Sequence, residues 1–285
     1  MLVTVEKMLL AAQRGRYAIG AFNIENMETA QAIISAAAET LSPVILQTTP
    51  STVRYGDLKL FAGMVKALAE EVKIPVALQL DHGSDYTLAV NAVKAGYSTV
   101  MIDGSQLCFE ENIALSKQVN DECKKYNIPV EAELGKVGGK EDDTESSEVG
   151  YTDPDEAVEF VKRTGVFSLA IGIGTAHGVY EGTPKLDIPR VGLIAAKVSN
   201  PLVLHGTSGI PDDDVLACIA LGICKVNYCT ELRIGFTNAI KEALAAEHEK
   251  FDPKFYLEAG RKKVKEIVKQ RIKILGSEGK ADECC

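Results

Sequence analysis

Three of the four histidines in this chain stand where a short apolar run stops, and each is followed by glycine. They are His82 after Val76–Leu80, His177 after Leu169–Gly174, and His205 after Leu202–Leu204. Other polar groups end neighbouring runs: Asp81 beside His82, Asp103 after Thr99–Ile102, Glu133 after Pro129–Ala132, and Asn227 after Cys224–Val226. Three imidazoles gathered at one rim suit a catalytic zinc site, which takes three protein ligands and keeps a fourth position open. Glycine beside each allows close backbone approach. His248, between Glu247 and Glu249, is expected to be solvated. Asp81 is a candidate general acid/base next to the metal. Asp103 and Glu133 are candidates for partners of the ligands or for an alternative metal position. Successive strand residues face opposite ways, so Asp81 and His82 cannot both point inward from a regular strand. The strand is expected to end there, with Gly83 making the turn.

Such residues need an element pattern that brings strand ends together. Apolar runs at Tyr17–Asn23, Pro43–Gln47, Pro75–Leu80, Thr99–Ile102, Ile128–Glu133, Phe167–Gly174, Leu202–Leu204 and Cys224–Asn227 alternate with helical periodicity. Near-continuous apolar strands are those of a parallel sheet buried on both faces. Gly96, Gly165 and Gly222 are placed to cap helix C-termini. Eight strand–helix pairs in 285 residues predict an α/β fold, a (β/α)8 TIM barrel, as one domain over 1–285. Its end, about 252–285, is a basic helical extension and tail. Barrel active sites lie at the C-terminal rim, where two loops, Gly135 to Thr152 and Thr175 to Asp187, are long enough to act as lids.

The chain has 31 basic and 40 acidic residues, net -9, which argues against nucleic acid or a membrane as partner. No apolar run approaches the ~18 residues that span a bilayer, and Met1 to Arg16 reads as a helix rather than a leader. Seven cysteines without C-x-x-C spacing are expected to be reduced thiols in the cytoplasm, and the Cys284-Cys285 end a frayed tail. Anion binding is still open to an acidic protein through backbone N–H groups at helix N-termini. Gly206-Thr207-Ser208-Gly209 after the seventh strand and Asn227 to Thr230 after the eighth occupy the usual phosphate position of such barrels.

At these residues the chain resembles the class II, zinc-dependent ketose-bisphosphate aldolases, in the branch holding tagatose-bisphosphate and shorter-chain fructose-bisphosphate aldolases. The resemblance is carried by Gly20-Ala21-Phe22-Asn23, Leu80-Asp81-His82-Gly83, Val100 to Ser105, and Val130-Glu131-Ala132-Glu133-Leu134-Gly135. It continues through Gly138 to Asp143, Gly174 to Gly178, Leu204 to Gly209, and Lys225-Val226-Asn227.

It implies reversible aldol cleavage of a tagatose or fructose 1,6-bisphosphate to dihydroxyacetone phosphate and glyceraldehyde 3-phosphate. One zinc ion per subunit, on His82, His177 and His205, would act as Lewis acid and stabilise the enediolate. It also admits a monovalent cation. Asp81 would take the C4 hydroxyl proton, and Glu141 would move the proton at C3. Asn23, Gly178, Gly206, Thr207, Ser208, Asn227, Tyr228, Cys229 and Thr230 would hold substrate and its phosphate. Arg261 would reach the other phosphate. A homodimer or homotetramer is the expected assembly.

Cys229 stands where fructose-type relatives carry an acid, and Glu181 where they carry lysine. These positions and Thr175-Ala176-His177 lean toward tagatose; Asp81-His82-Gly83-Ser84 leans toward fructose. An aldolase for another ketose 1-phosphate is the alternative on the same chemistry. A Schiff-base aldolase would need a barrel lysine; Leu169–Gly174 has none, and Lys225 is the one candidate. A metal-dependent hydrolase on a TIM barrel would show a His-x-His pair on its first strand, and Phe22-Asn23-Ile24 lacks it. A non-catalytic role predicts gaps in the constellation, and there are none.

Overall fold

In a computed structural model of the chain, eight parallel strands close on one another in the order Ile19–Asn23, Ile223–Tyr228, Leu202–Leu204, Ser168–Ile171, Val130–Leu134, Thr99–Ile102, Val76–Gly83, Val44–Thr48. The structure describes residues 1–141, 144–146, 150–182 and 184–284, without the side chains of 140, 141 and 144–146. The barrel strands are β1 (Ile19–Asn23), β2 (Val44–Thr48), β3 (Val76–Gly83), β4 (Thr99–Ile102), β5 (Val130–Leu134), β8 (Ser168–Ile171), β10 (Leu202–Leu204) and β11 (Ile223–Tyr228). Three short strands lie outside it: β6 (Gly138–Glu141), β7 (Thr144–Ser146) and β9 (Ala176–His177).

Helices cover the outside: α1 (Glu6–Gly15), α2 (Met27–Glu39), α3 (Pro50–Gly56), α4 (Leu58–Glu70), α5 (Tyr86–Ala95) and α6 (Phe109–Cys123). They continue as α7 (Pro154–Thr164), α8 (Ile188–Ala195), α9 (Asp212–Leu221), α10 (Thr230–Ala246) and the extension α11 (Pro253–Leu275). The fold is the expected (β/α)8 barrel with C-terminal helix. No described helix is long and apolar enough to cross a membrane.

Local chemistry sets the helix ends. Asn26 and Thr29 form a reciprocal cap on α2, and Asp85 and Asp153 accept backbone N–H groups at the starts of α5 and α7. Gly96 (φ 106°), Gly165 (φ 67°) and Gly222 (φ 133°) end α5, α7 and α9, as read from the sequence. The short helix α3 is an addition to that reading. Thr49 caps it and Pro50 opens it, a start signal hidden in what reads as a loop.

The outward strand residues and the helices share one large apolar core that includes Phe22, Leu46, Leu78, Ile102, Leu169 and Val226. The inside of the barrel changes character along its axis. At the strand starts Ile19, Ala21, Ile45 and Ala77 cluster with Met8, Leu9 and Ala12 of α1, which closes that end. Toward the strand ends the buried residues become Gln47, Gln79, Asp81, Glu131, Glu133, His205, Lys225 and Asn227. Buried polar groups need partners, and this layer supplies most of them to one another, with Gln47 Oε1 and the Gln79 amide left without a hydrogen bond.

Candidate metal centre and active site

Asp81 and His82 both face the barrel mouth because β3 does not end at them, as the sequence suggested, but bulges. Leu80 pairs with Val100 and Gly83 with Ile102, so three steps along β3 match two along β4. The extra residue is taken up at His82, whose φ is 46°, in the left-handed region that histidine tolerates better than most residues. Gly83 has a different task from the expected turn. A Cβ there would lie 2.5 Å from the Met101 carbonyl oxygen.

The rings of His82 and His177 are 5.0 Å apart, those of His82 and His205 4.8 Å, and those of His177 and His205 6.2 Å. All three can place a ring nitrogen within 4.8 Å of the others. Carboxylates set the tautomers. His82 Nδ1 lies 2.7 Å from Asp103 Oδ2, and His205 Nε2 lies 3.0 Å from Glu131 Oε1. An ionised carboxylate only accepts, so those nitrogens carry the hydrogens. The remaining lone pairs, on His82 Nε2 and His205 Nδ1, then face each other at 3.0 Å. Two such lone pairs repel unless a cation shares them. Ligands about 3.4 Å apart are what tetrahedral zinc with bonds of 2.0–2.1 Å requires, so this donor set fits a divalent ion.

A second group, His82, Asp103 and Glu133, shares a ligand with the first and can also hold a metal. The carboxylates are poised as anions. Burial pushes the Asp103 carboxyl up, but hydrogen bonds from His82 and Ser105 outweigh it and leave Asp103 well below the ordinary range. Burial also acts against ionised Glu131, and Lys225 and His205 overcome it to bring its pKa to about 2. Asp81, 1% exposed, accepts Asn23 Nδ2 at 3.0 Å on Oδ2 and Asn227 Nδ2 at 3.2 Å on Oδ1.

Beside the imidazoles lies a cavity lined by Asn23, Ala176, His177, Gly178, Gly206, Thr207, Ser208, Asn227, Cys229, Thr230 and Arg233. Its floor is the turn after β10 and the first turn of α10, an arrangement that presents N–H groups to an anion. A Cβ at Gly206, where φ is 65°, would lie 2.7 Å from the Ala176 carbonyl oxygen, so the two loops meet there backbone to backbone. Tyr180 bolts the contact: its hydroxyl accepts Ala176 N–H and donates to the Gly206 carbonyl, both at 2.7 Å. The two long loops are also joined. Strand β6 pairs with β7 and, in parallel, with β9, matching Gly139 to His177. A Cβ at Gly139 would lie 2.1 Å from the His177 carbonyl oxygen.

Most expected substrate residues therefore come together, with two exceptions. Tyr228 is 1% exposed and stacks on Phe22 at 5.7 Å, under the Arg271 guanidinium, outside the cavity lining. Arg261 sits on α11, bonded to Gln31 and Glu258, and is not among the lining residues. The backbone of Glu141 belongs to β6, and its side chain lies outside the described residues. Sequence reading missed Arg233, which lines the cavity and binds Glu25 at 2.6 Å. It also missed Glu131 as the partner of His205. Lys225, the one Schiff-base candidate, has its Nζ 3.0 Å from Glu131 and 2.9 Å from Asn227 Oδ1.

A closed parallel barrel with three convergent imidazoles beside a buried carboxylate and a loop-lined cavity at one rim fits the class II metal-dependent aldolases. Residues 3–280 match the family described as fructose-bisphosphate aldolase class-II, and the chain belongs to that family. Among solved structures it is similar to the YdjI aldolase from Escherichia coli K12, at 39% identity over 99% of this chain and 100% of that one, TM-score 0.88. A fructose-1,6-bisphosphate aldolase candidate from Coccidioides immitis matches at 28% identity over 96% of each chain, TM-score 0.88. The fructose-bisphosphate aldolase of Campylobacter jejuni, at 20% identity over 98% and 97% of the chains, shares the fold with TM-score 0.83.

Proposed function

We propose that this aldolase reversibly cleaves a ketose 1,6-bisphosphate, tagatose or fructose, to dihydroxyacetone phosphate and glyceraldehyde 3-phosphate. The observation that carries the reading is the meeting of His82, His177 and His205 beside Asp81 and the anion cavity. The three imidazoles would hold zinc, which when bound supplies Lewis acidity toward a ketose carbonyl. Asp81, aimed by Asn23 and Asn227, takes the C4 hydroxyl proton as the C3–C4 bond breaks and returns it in condensation. Gly178, Gly206, Thr207, Ser208 and Thr230 hold the phosphate of the three-carbon ketose, and Cys229 lies against it. Glu141, carried by the strand that pairs with His177, moves the proton at C3. Arg261 serves the far phosphate from a neighbouring subunit in a cytoplasmic homodimer or homotetramer.

Triose phosphate release from each bisphosphate, assayed with and without chelator and with borohydride trapping, tests this. Chelation is expected to abolish activity and zinc to restore it. Activity in fully metal-free protein, or covalent trapping by borohydride, overturns the reading. Asp81→Ala is expected to lower kcat by roughly 10²–10⁴-fold with metal content unchanged. Loss of metal along with activity would make Asp81 a structural support instead.

A further inference from the structure

Lys225 is completely buried inside the barrel, below the imidazoles. Its ammonium lies 3.0 Å from the Glu131 carboxylate and donates to Asn227 Oδ1 at 2.9 Å. Asn227 in turn donates from Nδ2 to Asp81 Oδ1 at 3.2 Å. Donor chemistry gives this chain one direction. An ammonium has hydrogens and no lone pair, and a carboxylate has lone pairs and no hydrogen. The amide between them must therefore turn its oxygen to Lys225 and its nitrogen to Asp81. Reversed, it would set NH2 against NH3⁺ and a carbonyl against a carboxylate, two repulsive contacts. His205 Nε2 also lies 3.2 Å from Asn227 Nδ2, but its one hydrogen is directed to Glu131. It therefore cannot serve Asn227 as an acceptor.

We propose that Lys225, counterbalanced by Glu131, is a positioning residue that locks the Asn227 amide so that an N–H is always aimed at Asp81. The inference rests on the role of Asp81 proposed above. Lys225 belongs neither to the residues lining the cavity nor to the candidate metal ligands. It acts through Asn227, while Glu131 steadies His205 from the same ion pair. One buried pair thus orients a metal ligand and the base together.

The test replaces the pair at once, Glu131→Gln with Lys225→Met, because removing one partner of a buried ion pair leaves an unpaired charge and endangers folding. The carbonyl of the new amide can still accept from His205. In the double variant kcat is expected to fall roughly 10–100-fold, the scale of a misplaced catalytic group. KM is expected to stay within about twofold, and the visible spectrum of the cobalt-loaded protein to match wild type. A second readout is independent of turnover. In metal-free wild-type protein the Asn227 side-chain amide should give two distinct NMR signals, slow to exchange with solvent, and the double variant should lose that protection.

Unprotected Asn227 hydrogens in wild type overturn the assignment, even if the variant fails to fold. So does an unchanged kcat. A kcat loss accompanied by a matching change in the cobalt spectrum overturns it as well, because Lys225 would then act through the metal site. Wild-type protein inactive on both bisphosphates sinks the proposed function instead, and the amide signals still decide the role of Lys225.

Discussion

Asp103 and Glu131 give the imidazoles their direction. Each carboxylate takes the hydrogen of one ring nitrogen and leaves the opposite nitrogen bare toward its neighbours. Outer partners of this kind typically contribute 10–100-fold to metal affinity. Asp103→Ala is therefore expected to weaken metal binding by about that factor, measured by competition with a chromophoric chelator, while the fold survives because Asp103 lies at the mouth. Unchanged affinity would mean that the His82 backbone alone holds the ring. The meeting of the three histidines was legible in the sequence because histidine is scarce and each one ends an apolar run. Lys225 and Glu131 were not legible as a pair. Each stands two residues before another polar group on its own strand, Glu133 and Asn227, and only closure of the barrel sets β5 and β11 across a common interior. No spacing rule anticipates a partner 94 residues away.

Between elements, all eight barrel strands were readable, their ends to within about three residues, since parallel strands buried on both faces stand out as apolar runs. The bulge in β3 was half readable. Adjacent Asp81 and His82 demanded a break in alternation, but its place, a left-handed His82 within a continuing strand, depends on pairing with β4. The small sheet of β7, β6 and β9 was missed because its strands are short, polar and glycine-rich, and their pairing is decided by the barrel that brings two distant loops together. Tyr180 is the side chain that joins those loops to the His205 turn. In Tyr180→Phe both the Ala176 N–H and the Gly206 carbonyl lose their partner. A loss of about 1–3 kcal/mol is expected, read by urea unfolding of the metal-free protein. KM for a phosphorylated ketose should rise more than kcat falls, because the bond shapes the cavity floor rather than the base. Kinetics and stability both at wild-type level would show that backbone contact at Gly206 suffices.

Across the whole molecule the barrel is apolar where α1 closes it and polar where the strands end, so folding itself concentrates carboxylates and imidazoles at one mouth. The C-terminal extension belongs to the same design. Helix α11 packs on α2 and α10, burying Val264, Val268, Ile272 and Leu275. From it Arg271 bonds both Glu231 and Asp212, at the starts of α10 and α9, and so braces the helix whose first turn lines the cavity. A clamp at the other side of α11 offers a test by pH. Lys265 and Lys269 both bind Glu39 of α2, and their hydrogen bonds bring its carboxyl from the usual 4.5 to about 2. As pH falls below 4.5 the unfolded chain protonates this group first. The stability it contributes is thus whole above 4.5 and is lost as pH falls through about 2. Glu39 is exposed and the two lysines are half-buried, so solvent screening holds the effect to roughly 1 kcal/mol or less. Glu39→Gln is expected to lower stability by that amount near neutrality and to converge on wild type toward pH 2, with the gap also shrinking in high salt. Parallel curves for the two proteins across that range would show that apolar packing alone docks the extension.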